Sequence, residues 1–270
     1  GNFNMFAFLE REGAQVLVEP VATWVMYLLH GAKASALSRK GLDAPYDKVA
    51  WWEARKRLVN ELHFRKKWLL LSAGEGIYAR QYHRVVEALG GLTHHLAPQD
   101  ELARLAHPFY HRLARGGEAY LEVGKNIYYT VNGLCHMVLS LKPFGCMPSS
   151  QSDGVQSAVV NHFKDMVFLP IETSGEGEIN AHSRVQMALG EAKAKAKLEF
   201  QRALDSTGKR LEDIKAYVAD HRELRRPFYQ VPHRPGVAGM AANFVLHVSD
   251  LMNRRPRWVR VPAPARQTAA

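Results

Sequence analysis

The sequence is poor in cysteine, has no long apolar run and is not enriched in proline or glycine. Two cysteines in 270 residues, Cys135 and Cys146, cannot build a disulfide framework and point to a reducing, cytoplasmic setting. No stretch approaches the roughly 18 consecutive apolar residues of a spanning helix, so no membrane partner is expected. The opening residues GNFNMFAFLEREG have neither the basic start nor the apolar run of a secretory signal, so none is expected at this end. Thirteen prolines and 20 glycines, with 47% apolar and 23% charged residues, exclude disordered, collagen-like and low-complexity classes for the bulk of the chain. There is no CxxC pair, no HExxH, no GxSxG, no kinase signature and no ATP-binding motif.

The length suits one substantial core, or one domain with a helical appendage. The net charge of +10 is concentrated in two places. Residues 54–67 hold six Lys/Arg against one Glu, and residues 253–270 hold five Arg and no acid. Such clusters are either an electrostatic footprint for nucleic acid or another acidic partner, or a solvated helix face and a loose terminus. No nucleic-acid motif accompanies them, so nucleic acid is the weaker reading.

Periodicity predicts a helix over 3–10 with Phe3, Phe6 and Leu9 on one face, and a buried strand at AQVLVEP, 14–20. A helix over 21–38 carries Trp24, Leu28 and Leu29. A helical region over 45–90 places Val49, Trp52, Val59 and Leu62 at helical spacing. Gly74 and Gly76 are expected to break it and Gly90-Gly91 to close it. Helices follow at 101–114 and 117–132, the latter with Leu121, Val123, Ile127 and Val131 as apolar positions.

The run LCHMVLSL, 134–141, is short enough for a buried strand and contains Cys135. A tight turn at 142–148 precedes a helix over 151–163, with Ser149, Ser150 and Asp153 as caps. MVFLPI, 166–171, is a second strand, and ETSGEGE, 172–178, a loop. Helices over 179–204, 210–226 and 237–252 follow, with a proline-bearing connector at 227–236. Val185, Leu189, Ala192, Ala196 and Phe200 line one face of the first, and Val237, Met240, Phe244, Val248 and Leu251 make the last amphipathic. Strands separated by helices imply parallel pairing and an α/β layered domain.

Ligands of open parallel sheets sit outside the carboxyl ends of the strands. The loops around Cys146 and around Glu172 occupy that place, and they share a crevice if the strands are neighbours. Cys146 lies between Gly145 and the amino end of a helix, a position that favours a thiolate, hence a nucleophile or a metal ligand. A structural cysteine is the alternative. His162 is the one nearby candidate base. Cys135, inside an apolar run, reads as a buried small hydrophobe. Ser174-Gly175-Glu176-Gly177 before a helix offers backbone N–H groups to an anion, but it lacks a P-loop lysine and carries carboxylates, so a plain loop is the alternative. His94-His95 and the His107, His111 pair have no third ligand in register and read as surface or packing residues.

The segment KPFGCMPSSQSDGVQSAVVNHFKDMVFLPIETSGEGEINAHSRVQMALGEAK, 142–193, resembles the last part of the large activase-related proteins of the 2-hydroxyacyl-CoA dehydratase family. GEAYL and VGK at 117–125, and GAQVLVEP after the first helix, fit the same pattern. The resemblance spans about residues 1–205. It implies a Rossmann-like small parallel sheet flanked by helices, with a helical insertion at about 45–115. A helical extension at 206–252 and a disordered basic tail at 253–270 would follow.

It also implies an iron–sulfur function, a [4Fe–4S] or larger cluster into which an ATP-hydrolysing partner drives low-potential electrons. Cys146 matches the family's Phe-Gly-Cys position and would be a cluster thiolate. Gly145 would allow close approach, Pro148 and Ser149 would shape the turn, and Glu172, Ser174 and Glu176 would line the opposite loop. Arg184 would balance negative charge, or else serve as an ion-pair partner. A cluster takes about four ligands, so the others would come from another segment or subunit. ATP would be used only by an ATPase activator domain or subunit, and a homo-oligomer is possible. A Rossmann-like lobe opens with a strand, whereas residues 1–10 read as the helix after it. The chain is therefore expected to be the carboxyl-terminal piece of a longer protein. The competing reading is a non-catalytic scaffold that has lost the cluster.

Overall fold

The computed structural model describes residues 2–42, 51–91, 96–112, 114, 117–174 and 177–253. The chain divides into two compact units, Gly1–Lys195 and Ala196–Ala270, with the division inside one long helix.

The first unit carries helices α1 (Met5–Arg11), α2 (Val21–Leu42), α3 (Trp51–Ala88), α4 (Gln99–Ala106) and α5 (Ala119–Val131). Then come strand β1 (Val138–Pro143), helix α6 (Met147–His162), strand β2 (Phe168–Thr173) and the first part of α7 (Glu178–Thr207). β1 and β2 pair in parallel, in register from Val138 opposite Phe168 to Pro143 opposite Thr173. α6 is the crossover between them. The result is a mostly helical α/β unit with a small two-stranded parallel sheet.

Successive strand residues face opposite sides. Leu139, Leu141, Leu169 and Ile171 therefore point to one layer, where they meet Met5 and Leu9 of α1 and Val185, Leu189 and Ala192 of α7. The last three follow an i, i+4, i+7 stripe, and their helix is rich in Ala, Lys and Glu, strong helix formers. Ser140 and Lys142 point to the other layer, where their side chains bond to α5 and α6. That layer is closed by a core around Leu102, Ala106, Leu121, Val123, Ile127 and Val159. α5 approaches α4 so closely that a Cβ on Gly124 would lie 2.6 Å from the Leu102 carbonyl oxygen. Gly is required there for contact.

Several expectations are corrected. Ala14–Pro20 is not a strand: among the described residues it has no strand partner, Leu17 and Val18 are exposed, and Ala14 and Val16 pack on the core. In α1 the buried residues are Met5 and Leu9, while Phe6 is exposed and Phe3 precedes the helix with a positive φ. In α2 the buried positions are Thr23, Tyr27 and Ala36, with Trp24 and Leu28 exposed.

α3 runs unbroken through Gly74 and Gly76. Each glycine costs about 1 kcal/mol of helix propensity, and packing along α2 with a 2.6 Å Lys33–Glu75 ion pair outweighs it. Gly90 and Gly91 do end the region, both with positive φ. Val59 and Leu62 are exposed rather than a buried face, Val49 lies outside the described residues, and nothing is described of the Trp52 side chain. Val131 is exposed at the end of α5. The helix at 101–114 is shorter, ending at Ala106. Both strands begin two to four residues later than expected, because pairing register rather than apolarity sets their limits.

The second unit holds the last part of α7, helix α8 (Leu211–Asp220), a short 3₁₀ turn (Arg222–Arg225) and helix α9 (Met240–Asn253). Ile214, Leu224, Val245 and Val248 form its core, with Phe200, Phe244 and Leu251 against it. The Glu199 carboxylate accepts the N–H groups of Ala238 and Gly239, at 3.1 and 2.6 Å, and so caps α9. Met240 is exposed rather than part of the buried face. The basic tail from residue 254 lies outside the described residues.

Candidate functional site

The carboxyl ends of β1 and β2 lie side by side, so the two loops singled out in the sequence share one edge of the sheet. After Pro143 the chain turns through Gly145, whose φ of +70° favours glycine. A Cβ there would meet nothing within 4 Å, so within the chain it is the turn that calls for glycine.

Cys146 is the N-cap of α6. The helix starts four residues earlier than the expected 151, because Pro148 fits the first turn, where no N–H partner is needed. The three expected caps have other partners. Ser149 Oγ donates to Cys146 Sγ at 3.2 Å, Ser150 Oγ donates to the Cys146 carbonyl at 3.1 Å, and Asp153 binds Lys142 Nζ. Cys146 is half-buried, between Phe144 and Met147, which are 73% and 70% exposed.

The opposite loop is more open. Glu172 stands opposite Lys142 in register and is exposed, as is Ser174, whose carbonyl accepts the Gly177 N–H at 3.5 Å. Gly175 and Glu176 lie outside the described residues. Arg184 donates to the Pro170 carbonyl at 3.1 Å. That contact ties α7 to β2, and the side chain is otherwise exposed. His162 ends α6, about 24 Å along the helix from Cys146, and packs edge-on against Phe109. It is not a base for the thiol.

Cys135 does not lie in a strand. It precedes β1, whose six residues span about 20 Å, so the two cysteines belong to opposite ends of that strand. Burial pushes the Cys135 thiol up to about 11, against the lowering effect of a hydrogen bond with the Met137 backbone. The His107 and His111 rings are 5.4 Å apart. Among the described residues no group of three or more His, Cys, Asp or Glu is placed to hold a metal ion. The described residues thus offer one thiol at the strand ends, and they do not make up the ligand set of an iron–sulfur cluster within this chain.

The sequence reading missed what lies behind the thiol. Lys142 is 4% exposed, and its ammonium contacts Asp153 and, at 3.6 Å, Glu122. Glu122 also accepts from Ser140 Oγ at 2.7 Å and from Ser152 Oγ. One turn along both helices, Asn126 donates to Gln156 at 2.8 Å, both buried. The signal was present: Leu139-Ser140-Leu141-Lys142 alternates at period two, and Ser149, Ser152, Asp153 and Gln156 recur at helical spacing. An apolar-run reading of β1 conceals that alternation.

Comparison with known proteins finds no match: no family model, no curated protein and no solved structure matches this chain.

Proposed function

We propose that the chain is an iron–sulfur-associated, dehydratase-like module of a CoA activase-type protein, working in a cytoplasmic setting as part of a larger chain or complex. Its α/β unit would be a reduced Rossmann-like lobe, with α3 in the helical insertion. In this reading Cys146 supplies one thiolate to a cluster whose other ligands belong to another segment or subunit, and an ATPase activator partner supplies the energised electron. The observation that carries the reading is the position of Cys146. It is the N-cap of α6 at the carboxyl edge of a parallel sheet, with a hydroxyl donor on its sulfur. Cysteine sulfur is a common metal ligand, and this one stands where ligands of parallel sheets sit.

A second reading is a scaffold that docks a partner without a cluster. Phe144, Met147 and Ile179, all strongly exposed, belong to the segments that follow the two strands. Exposed apolar groups in such numbers at one edge suit a protein contact.

Iron, acid-labile sulfide and the visible and EPR spectra of anaerobically purified protein separate the two. The comparison is wild type against Cys146→Ala, each alone and co-purified with its activator partner. Cluster signals lost on Cys146→Ala are the result expected. No iron in any preparation would overturn the first reading in favour of the second.

A further inference from the structure

Among the described residues Lys142 is the only buried residue with a charged side chain. Burying an ammonium costs much hydration free energy, which only close countercharges offset. Lys142 has two, on different helices: Glu122 of α5 and Asp153 of α6. The contacts continue toward the strand ends. Ser152 Oγ lies against Glu122 and 2.9 Å from the Ser149 carbonyl oxygen, and the Ser149 hydroxyl is on the Cys146 sulfur. Ser149 and Ser152 are themselves buried. On the strand side, Thr173 Oγ1 donates to the Lys142 carbonyl at 3.2 Å and ties the end of β2 to the same residue. The opposite layer, with α1 and α7, is apolar.

We infer that Lys142 is a positioning residue for Cys146: by bridging Glu122 and Asp153 it fixes the first turn of α6 and so keeps the Ser149 hydroxyl on the Cys146 sulfur. Without the ammonium, two carboxylates on neighbouring helices face each other with no countercharge. Their repulsion loosens α6 where it begins, and the donor on the sulfur is lost. This deepens the reading of Cys146 given above and rests on it only for the use to which the thiol is put.

The test is the rate of Cys146 alkylation by iodoacetamide at fixed neutral pH in metal-free protein. Mass spectrometry follows Cys146 and Cys135 separately. Ser149→Ala changes the Cys146 rate by about fivefold, the weight of one hydrogen bond. Lys142→Met changes it in the same direction by a similar factor, and the double variant goes no further than Ser149→Ala alone. Lys142→Arg, which keeps the charge, returns the rate toward wild type. Cys135 stays slow throughout.

A wild-type Cys146 rate in Lys142→Met overturns the inference, and so do independent, multiplying effects of the two substitutions. If both sulfurs speed up in Lys142→Met, the fold has opened and Asp153→Asn carries the test. That variant must shift Cys146 alone, and an unshifted rate there overturns the inference. None of these readings involves iron, so the inference and the cluster proposal fail separately.

Discussion

α5 and α3 are both helices rich in large apolar side chains, yet they use them differently. α5 packs on α4, α6 and β1, and Leu121, Val123 and Ile127 are fully buried. α3 is three times as long and packs along α2, leaving Leu58, Leu62, Leu69, Leu70 and Ile77 exposed. Local propensity and helical spacing make both helical. The number of elements that converge on a helix decides how much of its apolar content leaves water. The candidate site is built where elements converge, on β1 and α6 against α5. The basic stretch 54–67 falls on the helix that has fewer neighbours.

Substitutions can break this contrast. The largest effect expected is from Leu121→Ala, at a position with 0% exposure, which should lose about 2–5 kcal/mol in urea unfolding. Leu69→Ala, at 60% exposure, should stay within about 0.5 kcal/mol. Equal losses at the two positions would mean that α3 is covered in solution. Next comes Gly124→Ala, expected to cost about 1–3 kcal/mol, since the new methyl meets a backbone carbonyl that has nowhere to go. The smallest effect has the opposite sign. Gly74→Ala adds a methyl with nothing within 4 Å and should stabilise α3 by about 0.5–1 kcal/mol, read as a rise in thermal midpoint. A loss there would show that the helix gives way at its glycines after all.

The same contrast explains what was legible. The order of helices and strands followed from periodicity, because an amphipathic stripe such as Val185, Leu189 and Ala192 is a local pattern. The turn at Gly145 and the pairing of the two loops followed from the strand–helix–strand order. Ala14–Pro20 misled because an apolar run becomes a strand only beside another strand, and none of the described residues pairs with it. Glu19 in that segment instead accepts the Tyr129 hydroxyl, 110 residues away. His162 misled for a related reason. Its sequence distance from Cys146 said nothing of direction, and α6 carries it to an aromatic contact.

By itself the sequence determined the local chemistry: which stretches coil, where glycine permits a turn, and that a thiol stands at the amino end of a helix. Those properties depend on a residue and its near neighbours. Tertiary structure alone decided that Lys142 is buried between carboxylates from α5 and α6, and that Cys146 and Cys135 belong to opposite ends of β1. It also decided that the Ser149 hydroxyl rests on the Cys146 sulfur. Burial and pairing of a charge are relations between segments distant in the chain. Their energy exists only once those segments have met and water between them has gone.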